Sequence, residues 1–161
     1  MIGYPLSAAQ AAGLDPFVVA KPRSPLPELD CEVVREPERP SHPLVGALAA
    51  LYAAEGPVVL LGCDMPFLTG ELLGWLADLE PPAVAVVDGR LQPLLGIYGQ
   101  SAEPAFTEAL AAEAPVREAV DRLEPQRLGG EELERFGDPA RLVFSVDSPE
   151  DLALASQLLE A

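Results

Sequence analysis

The 161 residues, 49% of them hydrophobic, suffice for one globular domain with its own core, and no apolar run reaches the roughly 20 residues that a membrane span requires. A formal net charge of −16 argues against binding a nucleic-acid backbone or an anionic membrane surface. The first residues lack the pattern of a secretory signal, so we expect a cytosolic protein. Cys31 and Cys63 form no CxxC pair, and we expect two reduced, buried thiols rather than zinc ligands.

The first part of the chain alternates helical and strand patterns. Gly13 ends an Ala-rich helical stretch, and Pro43 lies where a helix tolerates proline, in its first turn. The continuous apolar run PVVLLG is typical of a strand covered on both faces. The predicted elements are a helix at Leu6–Ala12, strands at Phe17–Ala20 and Cys31–Arg35, a helix from Pro43 to about Ala54, and a strand at Pro57–Gly62.

The second part continues the alternation. Thr69 is a helix cap, Asp88-Gly89 is a hairpin turn, and Ser148-Pro149 begins the last helix. The predicted elements are a helix after Thr69, strands at Ala83–Val87 and Leu91–Tyr98, helices at Glu103–Ala112 and Val116–Leu123, a strand at Arg141–Val146, and a terminal helix to Leu159. This order predicts a single three-layer α/β/α domain over residues 1–161, with a mainly parallel mixed sheet.

Two carboxylates follow predicted strands. Ligands of such sheets bind outside the carboxyl ends of the strands, and Mg²⁺ takes one or two carboxylates plus phosphate oxygens. Asp64 is therefore a candidate metal ligand, or alternatively an acid that caps a turn. Asp147 is a candidate second ligand if its strand lies close by, or alternatively an acid stabilised by the dipole of the following helix.

Two further segments carry polar candidates. Ser41–Gly46 is a turn into a helix whose backbone N–H groups could meet an anion or a base edge, or it is an ordinary capped helix. His42, the only histidine, is expected to be an exposed loop residue.

Pro93 predicts an edge or a bulge in its strand. Beside it, Arg90 could bind a phosphate through two parallel guanidinium N–H groups, and Gln92 could recognise a ligand through its side-chain amide. Alternatively, both residues lie on a solvated hairpin.

Four segments, in this order, resemble the molybdenum-cofactor guanylyltransferases and their cytidylyl relatives. They are Pro43–Gly46, VVLLGCDMPFLT from Val58, DGRLQPLLGIY from Asp88, and FSVDSPEDL from Phe144. CDMPFLT and SPEDL are the most specific of these. The resemblance covers most of the chain and implies the Rossmann-like nucleotide-diphospho-sugar transferase fold.

The resemblance implies an enzyme that transfers GMP, or CMP, from GTP or CTP to the terminal phosphate of molybdopterin, with Mg²⁺ and release of pyrophosphate. Asp147 matches a position where guanylyl members usually carry asparagine, which leaves the nucleotide open. The implied site residues are catalytic and metal-binding Asp64, nucleotide-binding Pro43, Leu44 and Gly46, acceptor-side Gln92 and Pro93 with neighbouring Arg90, and Asp147 as second metal ligand.

The start of the chain departs from this family. Family members open with a strand and a Gly-rich loop with Arg and Lys that wraps the triphosphate, whereas Met1–Leu6 already resembles the helix after that loop. Lys21 lies too far along the chain to replace those cations. Three hypotheses follow: Met1 is internal to a longer enzyme, the chain is a short paralogue that binds a nucleotide or cofactor without catalysis, or it scaffolds a partner. Loss of the strand would also expose a sheet edge through which two copies could pair.

Overall fold

Strands and helices alternate along residues 1–160, the part of the chain that the computed structural model describes. The strands are β1 Phe17–Ala20, β2 Glu32–Arg35, β3 Val58–Leu61, β4 Ala83–Val87, β5 Arg90–Tyr98 and β6 Gln126–Leu128. The helices are α1 Gly3–Ala11, α2 Pro43–Ala53, α3 Gly70–Ala77, α4 Glu103–Ala111, α5 Val116–Asp121, α6 Gly130–Leu133, α7 Pro139–Leu142 and α8 Pro149–Glu160.

Helices cover both faces of the strands, which gives the predicted three layers. On one face α2, α4 and α5 enclose a core that includes Leu51, Tyr98 and Phe106. On the other face α1 and α3 enclose a second core that includes Leu72 and Leu95. β1, β3 and β4 are short and apolar, as expected of strands that lie between two helical layers. The predicted mixed, mainly parallel α/β fold is confirmed, with β5 as the strand that runs antiparallel to its neighbours.

The strands form two sheets rather than one. β1 and β2 pair in parallel, and the other four strands follow the order β3-β5-β4-β6, with β6 parallel to β4. Within the described residues, β1 pairs only with β2, and β3 pairs only with β5. Each therefore keeps one edge of backbone N–H and C=O groups without a strand partner. Both edges line the same cleft, between α1 on one side and α2 on the other.

Most predicted elements are present within one to three residues of their expected ends. The prediction of a strand at Arg141–Val146 is wrong. The first residues of this segment form α7, because the side chain of Asp138 accepts a hydrogen bond from the N–H of Ala140 and Pro139 occupies the first turn. The strand β6 and the short helix α6 were not predicted.

Pro93 lies in a bulge, one of the two alternatives predicted for it. The pairing of β4 with β5 jumps from Val84–Gly96 to Val86–Leu91, so four residues of β5 lie between consecutive pairs. The hydroxyl of buried Tyr98 donates a 2.8 Å hydrogen bond to the carbonyl of Pro93 and so fixes the bulge from the core side. This buried environment raises the pKa of the Tyr98 hydroxyl well above its ordinary value, which keeps the hydrogen atom that the bond requires.

Gly96 is the tightest point between β4 and β5. A Cβ atom there would lie 2.7 Å from the carbonyl oxygen of Ala83 and 3.0 Å from Cγ2 of Val84. We expect Gly96→Ala to lower the free energy of unfolding by about 1–3 kcal/mol, because the clash is with backbone that pairing holds in place. Urea denaturation measures this. Gly56→Ala is the matched control, since its Cβ would meet nothing within 4 Å, and equal stability of the two variants would contradict the prediction.

Candidate active site

Asp64 lies in the loop between β3 and α3, at the carboxyl end of β3. The loop is tight: the N–H of Gly62 donates to the carbonyl of Leu94 at 3.2 Å, and Met65, Pro66 and Phe67 are buried. A Cβ atom on Gly62 would lie 2.6 Å from Oδ1 of Asp64, so the glycine makes room for the carboxylate to fold back over the loop. The carboxylate of Asp64 accepts no hydrogen bond and has no cationic partner within residues 1–160.

The first cleft, of about 720 Å³, opens beside this loop between β1 and β3. Its size is that of a small-molecule site. At the sheet edge it is bounded by Gly62 and Cys63, and across from them by Ser41, Pro43 and Gly46 at the start of α2. The structure therefore brings together two of the segments that the sequence predicted to be functional.

His42 is the residue that shapes this side of the cleft, and the expectation of an exposed loop histidine is wrong. It is the N-cap of α2: its Nδ1 accepts from the N–H of Leu44 at 3.2 Å, and its Nε2 lies 3.2 Å from the carbonyl of Ala114. These contacts favour the neutral imidazole with its proton on Nε2. Such a contact to a residue 72 positions away leaves no local pattern in the sequence.

Leu44, which the resemblance implied to be nucleotide-binding, lies in the core instead. Its side chain is fully buried in the core, its N–H is occupied by His42, and the N–H of Val45 donates to the carbonyl of His42 at 3.0 Å. These two backbone groups are not free to meet a ligand. Pro43 and Gly46 do line the cleft, where a Cβ on Gly46 would lie 3.0 Å from Oε2 of Glu36.

Lys21 also lines the first cleft, although its position in the sequence gave no sign of this. Its Nζ lies 3.5 Å from Oε1 of Glu36 and donates to the carbonyls of Pro37 and Glu38. The ammonium group is therefore already engaged by the protein at the rim of the cleft.

The second cleft, of about 460 Å³, lies at the β4–β5 hairpin. The hairpin contributes Asp88, Arg90 and Gln92, α5 contributes Arg117, and Ala140 and Val143 close it from α7 and the segment after it. The sequence pattern indicated Arg90 and Gln92 but not Arg117, which lies in an ordinary solvent-facing helical pattern. Pro93 lines neither cleft; β5 passes from Gln92 in the second cleft through Pro93 to Leu94 in the first.

Asp147 reaches the neighbourhood of Asp64 through a loop, not through the strand that was predicted. The N–H of Val146 donates to the carbonyl of Asp64 at 3.0 Å, which places Asp147 one residue from that contact. The carboxylate of Asp151 accepts from the N–H of Asp147 and, at 2.7 Å, from the hydroxyl of Ser148. Ser148 caps α8 by accepting a hydrogen bond from the N–H of Asp151, and the Asp151 carboxylate in turn fixes the backbone at Asp147. The exposed Asp147 side chain has no ion-pair partner in the described chain.

Asp64 and Asp147 carry carboxylate oxygens, the kind of protein ligand that Mg²⁺ prefers. Neither is engaged by a basic side chain within residues 1–160, and no group of three or more His, Cys, Asp or Glu side chains there could form a closed metal site. Mg²⁺ takes most of its ligands from water and substrate phosphates, with one or two carboxylates from the protein.

Cys63 precedes Asp64 and is exposed, against the expectation of a buried thiol. Neighbouring protein atoms still partly desolvate its sulfur, and this raises the pKa of the thiol, with the negative charge of Asp64 as the second cause. The group is consequently a poor nucleophile near neutral pH. Cys31 is half-buried, and both cysteines are free thiols, as expected.

The chain is similar in sequence to one family of transferases. A family model described as the MobA-like NTP transferase domain matches residues 1–127. A probable molybdenum cofactor guanylyltransferase of Chloroflexus aggregans is 30% identical over 141 residues, which cover 83% of this chain and 68% of that protein. A molybdenum cofactor guanylyltransferase of Pseudomonas putida is 34% identical over 111 residues, which cover 62% of this chain and 58% of that protein.

Solved structures show the same fold. The molybdopterin-guanine dinucleotide biosynthesis protein A of Archaeoglobus fulgidus superposes with a TM-score of 0.70 at 24% identity, covering 82% of this chain and 70% of that one. The 2-C-methyl-D-erythritol 4-phosphate cytidylyltransferase of Thermus thermophilus superposes with a TM-score of 0.65 at 18% identity, covering 98% of this chain and 87% of that one. At these identities the likeness concerns the fold alone.

The chain is shorter than its curated relatives. It spans 68%, 48% and 60% of the lengths of those from Chloroflexus aggregans, Bacillus licheniformis and Pelotomaculum thermopropionicum. In residues 1–160, no helix is both long and apolar enough to cross a membrane.

Proposed function

Since the chain belongs to the MobA-like NTP transferase domain family, we propose that it acts in the transfer of GMP, or CMP, from a nucleoside triphosphate to molybdopterin. The observation that supports this most is the position of Asp64. Its loop contributes Gly62 and Cys63 to the first cleft, although the Asp64 side chain itself lines neither cleft. The carbonyl of Asp64 accepts from the N–H of Val146, three residues after Val143 of the second cleft, so substrates in the two clefts would approach each other at this loop. A transferase needs such an arrangement, because two reactants must be held at the same point.

In this proposal the first cleft receives the nucleotide and the second receives the acceptor. Pro43 and Gly46 border the base, and the α-phosphate lies toward the loop of Gly62–Asp64. Arg90 and Gln92 border the acceptor, and the bulge at Pro93 separates the two clefts. Leu44 has no contact role here, because its side chain belongs to the core.

The reaction is a displacement at phosphorus. An oxygen of the acceptor phosphate forms a new bond to the α-phosphorus of the nucleotide, and the bond to the β-phosphate breaks with the electron pair leaving on pyrophosphate. The chain's own residues bind and align the two phosphates; Asp64 and Asp147 would hold Mg²⁺, which when bound neutralises the charge on the phosphate oxygens. No covalent intermediate is required, which agrees with the raised pKa of the Cys63 thiol.

A transfer assay tests the proposal. The purified chain is incubated with Mg²⁺, molybdopterin and either GTP or CTP, and pyrophosphate and the dinucleotide product are measured. Product with one of the nucleotides supports the proposal, and the preferred nucleotide settles what Asp147 leaves open. Nucleotide binding by calorimetry without product from either nucleotide would contradict it and favour a binding protein.

The assignment of the nucleotide to the first cleft makes a separate prediction. Gly46→Leu places a side chain into that cleft, and we expect it to raise the KM for the nucleotide by about tenfold or more while leaving the KM for the acceptor unchanged. Ala53→Leu, an exposed position on the same helix outside the cleft, is the matched control. Equal KM values for the nucleotide in both variants would place the nucleotide elsewhere.

A further inference from the structure

Basic residues are few in this chain, and five of its nine arginines are engaged by the protein. The sequence has 26 acidic residues against 10 basic ones. Arg122 and Arg127 form ion pairs with Glu118 and Asp121. Arg35 and Arg141 donate to backbone carbonyls, and Arg135 stacks on aromatic rings.

Of the four other arginines, Arg23 and Arg39 line neither cleft, whereas Arg90 and Arg117 both line the second cleft. Within residues 1–160 neither guanidinium forms an ion pair or a hydrogen bond. Asp88 lines the same cleft, but it lies beyond ion-pair distance of both. The cleft therefore holds two unused planar cations from two separate elements, β5 and α5, in a protein whose net charge is −16.

The chemistry of these groups selects the ligand. A guanidinium donates two parallel hydrogen bonds to a phosphate, and two of them on one phosphate balance its double negative charge. Gln92 adds an acceptor: its Nε2 donates weakly to the carbonyl of Arg90 at 3.4 Å, which leaves its Oε1 for a hydroxyl group of the ligand.

The cleft is also connected to the loop that carries Asp64. Val143 lines it, and three residues later the N–H of Val146 bonds to the carbonyl of Asp64. Three residues of extended chain span at most about 10 Å. The second cleft therefore adjoins the Asp64 loop, as required if a phosphate bound in this cleft is to attack the nucleotide.

We infer that Arg117 and Arg90 together bind the phosphate monoester of the acceptor. This inference rests on the proposed function for the identity of the ligand as acceptor, and it adds Arg117 as a determinant of acceptor specificity. An acceptor without a phosphate, such as the corresponding alcohol, would leave both guanidinium groups unpaired and would bind poorly.

Phenyl phosphate is a suitable probe, because it carries the phosphate monoester and no nucleotide. Its dissociation constant is measured by NMR, from the shifts of arginine Nε–Hε signals. We expect Arg117→Ala and Arg90→Ala each to weaken phenyl phosphate binding about tenfold. Arg117→Lys is expected to bind more tightly than Arg117→Ala, because lysine keeps the positive charge but cannot donate two parallel hydrogen bonds. Arg122→Ala, which removes an arginine already paired with Glu118, is the control and is expected to have no effect.

The result that overturns the inference is unchanged phenyl phosphate affinity in Arg117→Ala, whatever the transfer assay shows. In that assay, Arg117→Ala is expected to raise the KM for molybdopterin while leaving the KM for the nucleotide unchanged. Failure of the proposed function is distinguishable, because it appears as absence of dinucleotide from the unaltered chain. If phenyl phosphate then still binds through Arg117, the phosphate site stands and its ligand is not the acceptor of this reaction.

Discussion

Asp64→Asn is expected to lower the rate of nucleotidyl transfer by about 100- to 1,000-fold, the size of effect seen when one group that stabilises a transition state is removed. The substitution keeps the shape of the side chain and removes its charge. The carboxylate has no basic partner among residues 1–160, so its charge is available to a cation bound with the substrate. Initial rates of pyrophosphate release at saturating substrates and Mg²⁺ measure the effect.

The control for this variant is Asp78→Asn. Asp78 is an exposed acid at the end of α3 that lines neither cleft, and its replacement changes the net charge by the same amount. We expect the control to keep the rate within about twofold, and both variants to unfold at the same urea concentration. A rate for Asp64→Asn equal to that of the control would remove Asp64 from the mechanism.

Phe106→Ala is expected to have the largest effect on stability, a loss of about 3–5 kcal/mol in the free energy of unfolding. Phe106 is 1% exposed, and its ring lies 5.5 Å from that of Tyr98, centroid to centroid. The loss includes the removed ring and the cavity that it leaves. Because Tyr98 also holds the bulge at Pro93, the variant is expected to loosen the boundary between the two clefts.

Urea denaturation of Phe106→Ala measures the change, with Tyr52→Ala as the matched control. Tyr52 is an aromatic residue that is 69% exposed and hydrogen-bonded only to Glu103 at the surface. Its removal is expected to cost less than about 1 kcal/mol. A loss below 1 kcal/mol for Phe106→Ala would mean that the core around Tyr98 is not packed as described.

The parts of the fold that the sequence predicted well are those with a strong local signal. Ala83–Val87 is a run of five small or β-branched apolar residues, and the structure has β4 at those residues. Thr69 caps α3 through its hydroxyl, as its position before an apolar helix indicates. In contrast, Gln126–Leu128 is a three-residue edge strand with two exposed polar side chains, and it can be recognised only from its pairing with β4 in the folded chain.

The candidate site was predictable where it follows the ends of strands, and not where it depends on contacts between distant residues. Asp64 follows an apolar strand and could be found in this way. His42 caps a helix against Ala114, and Arg117 joins Arg90 across a cleft; both arrangements exist only in the folded chain. Arg141–Val146 has the composition of a strand, but its arginine stacks over Phe67 at 4.6 Å and its backbone turns to reach Asp64.

Because the strands form two separate sheets, a ligand in the first cleft would affect how stably the two sheets are held together. The walls of the first cleft come from β1 on one side and β3 on the other, so a molecule that fills it contacts both sheets at once. By mass action, a ligand at 100 times its dissociation constant adds about 2.7 kcal/mol to the stability of whatever it binds. In this protein the added stability would act between β1 and β3, which do not pair with each other. We therefore expect the protein with a ligand in this cleft to unfold as a single cooperative unit, because the ligand would join two sheets that do not pair with each other in residues 1–160.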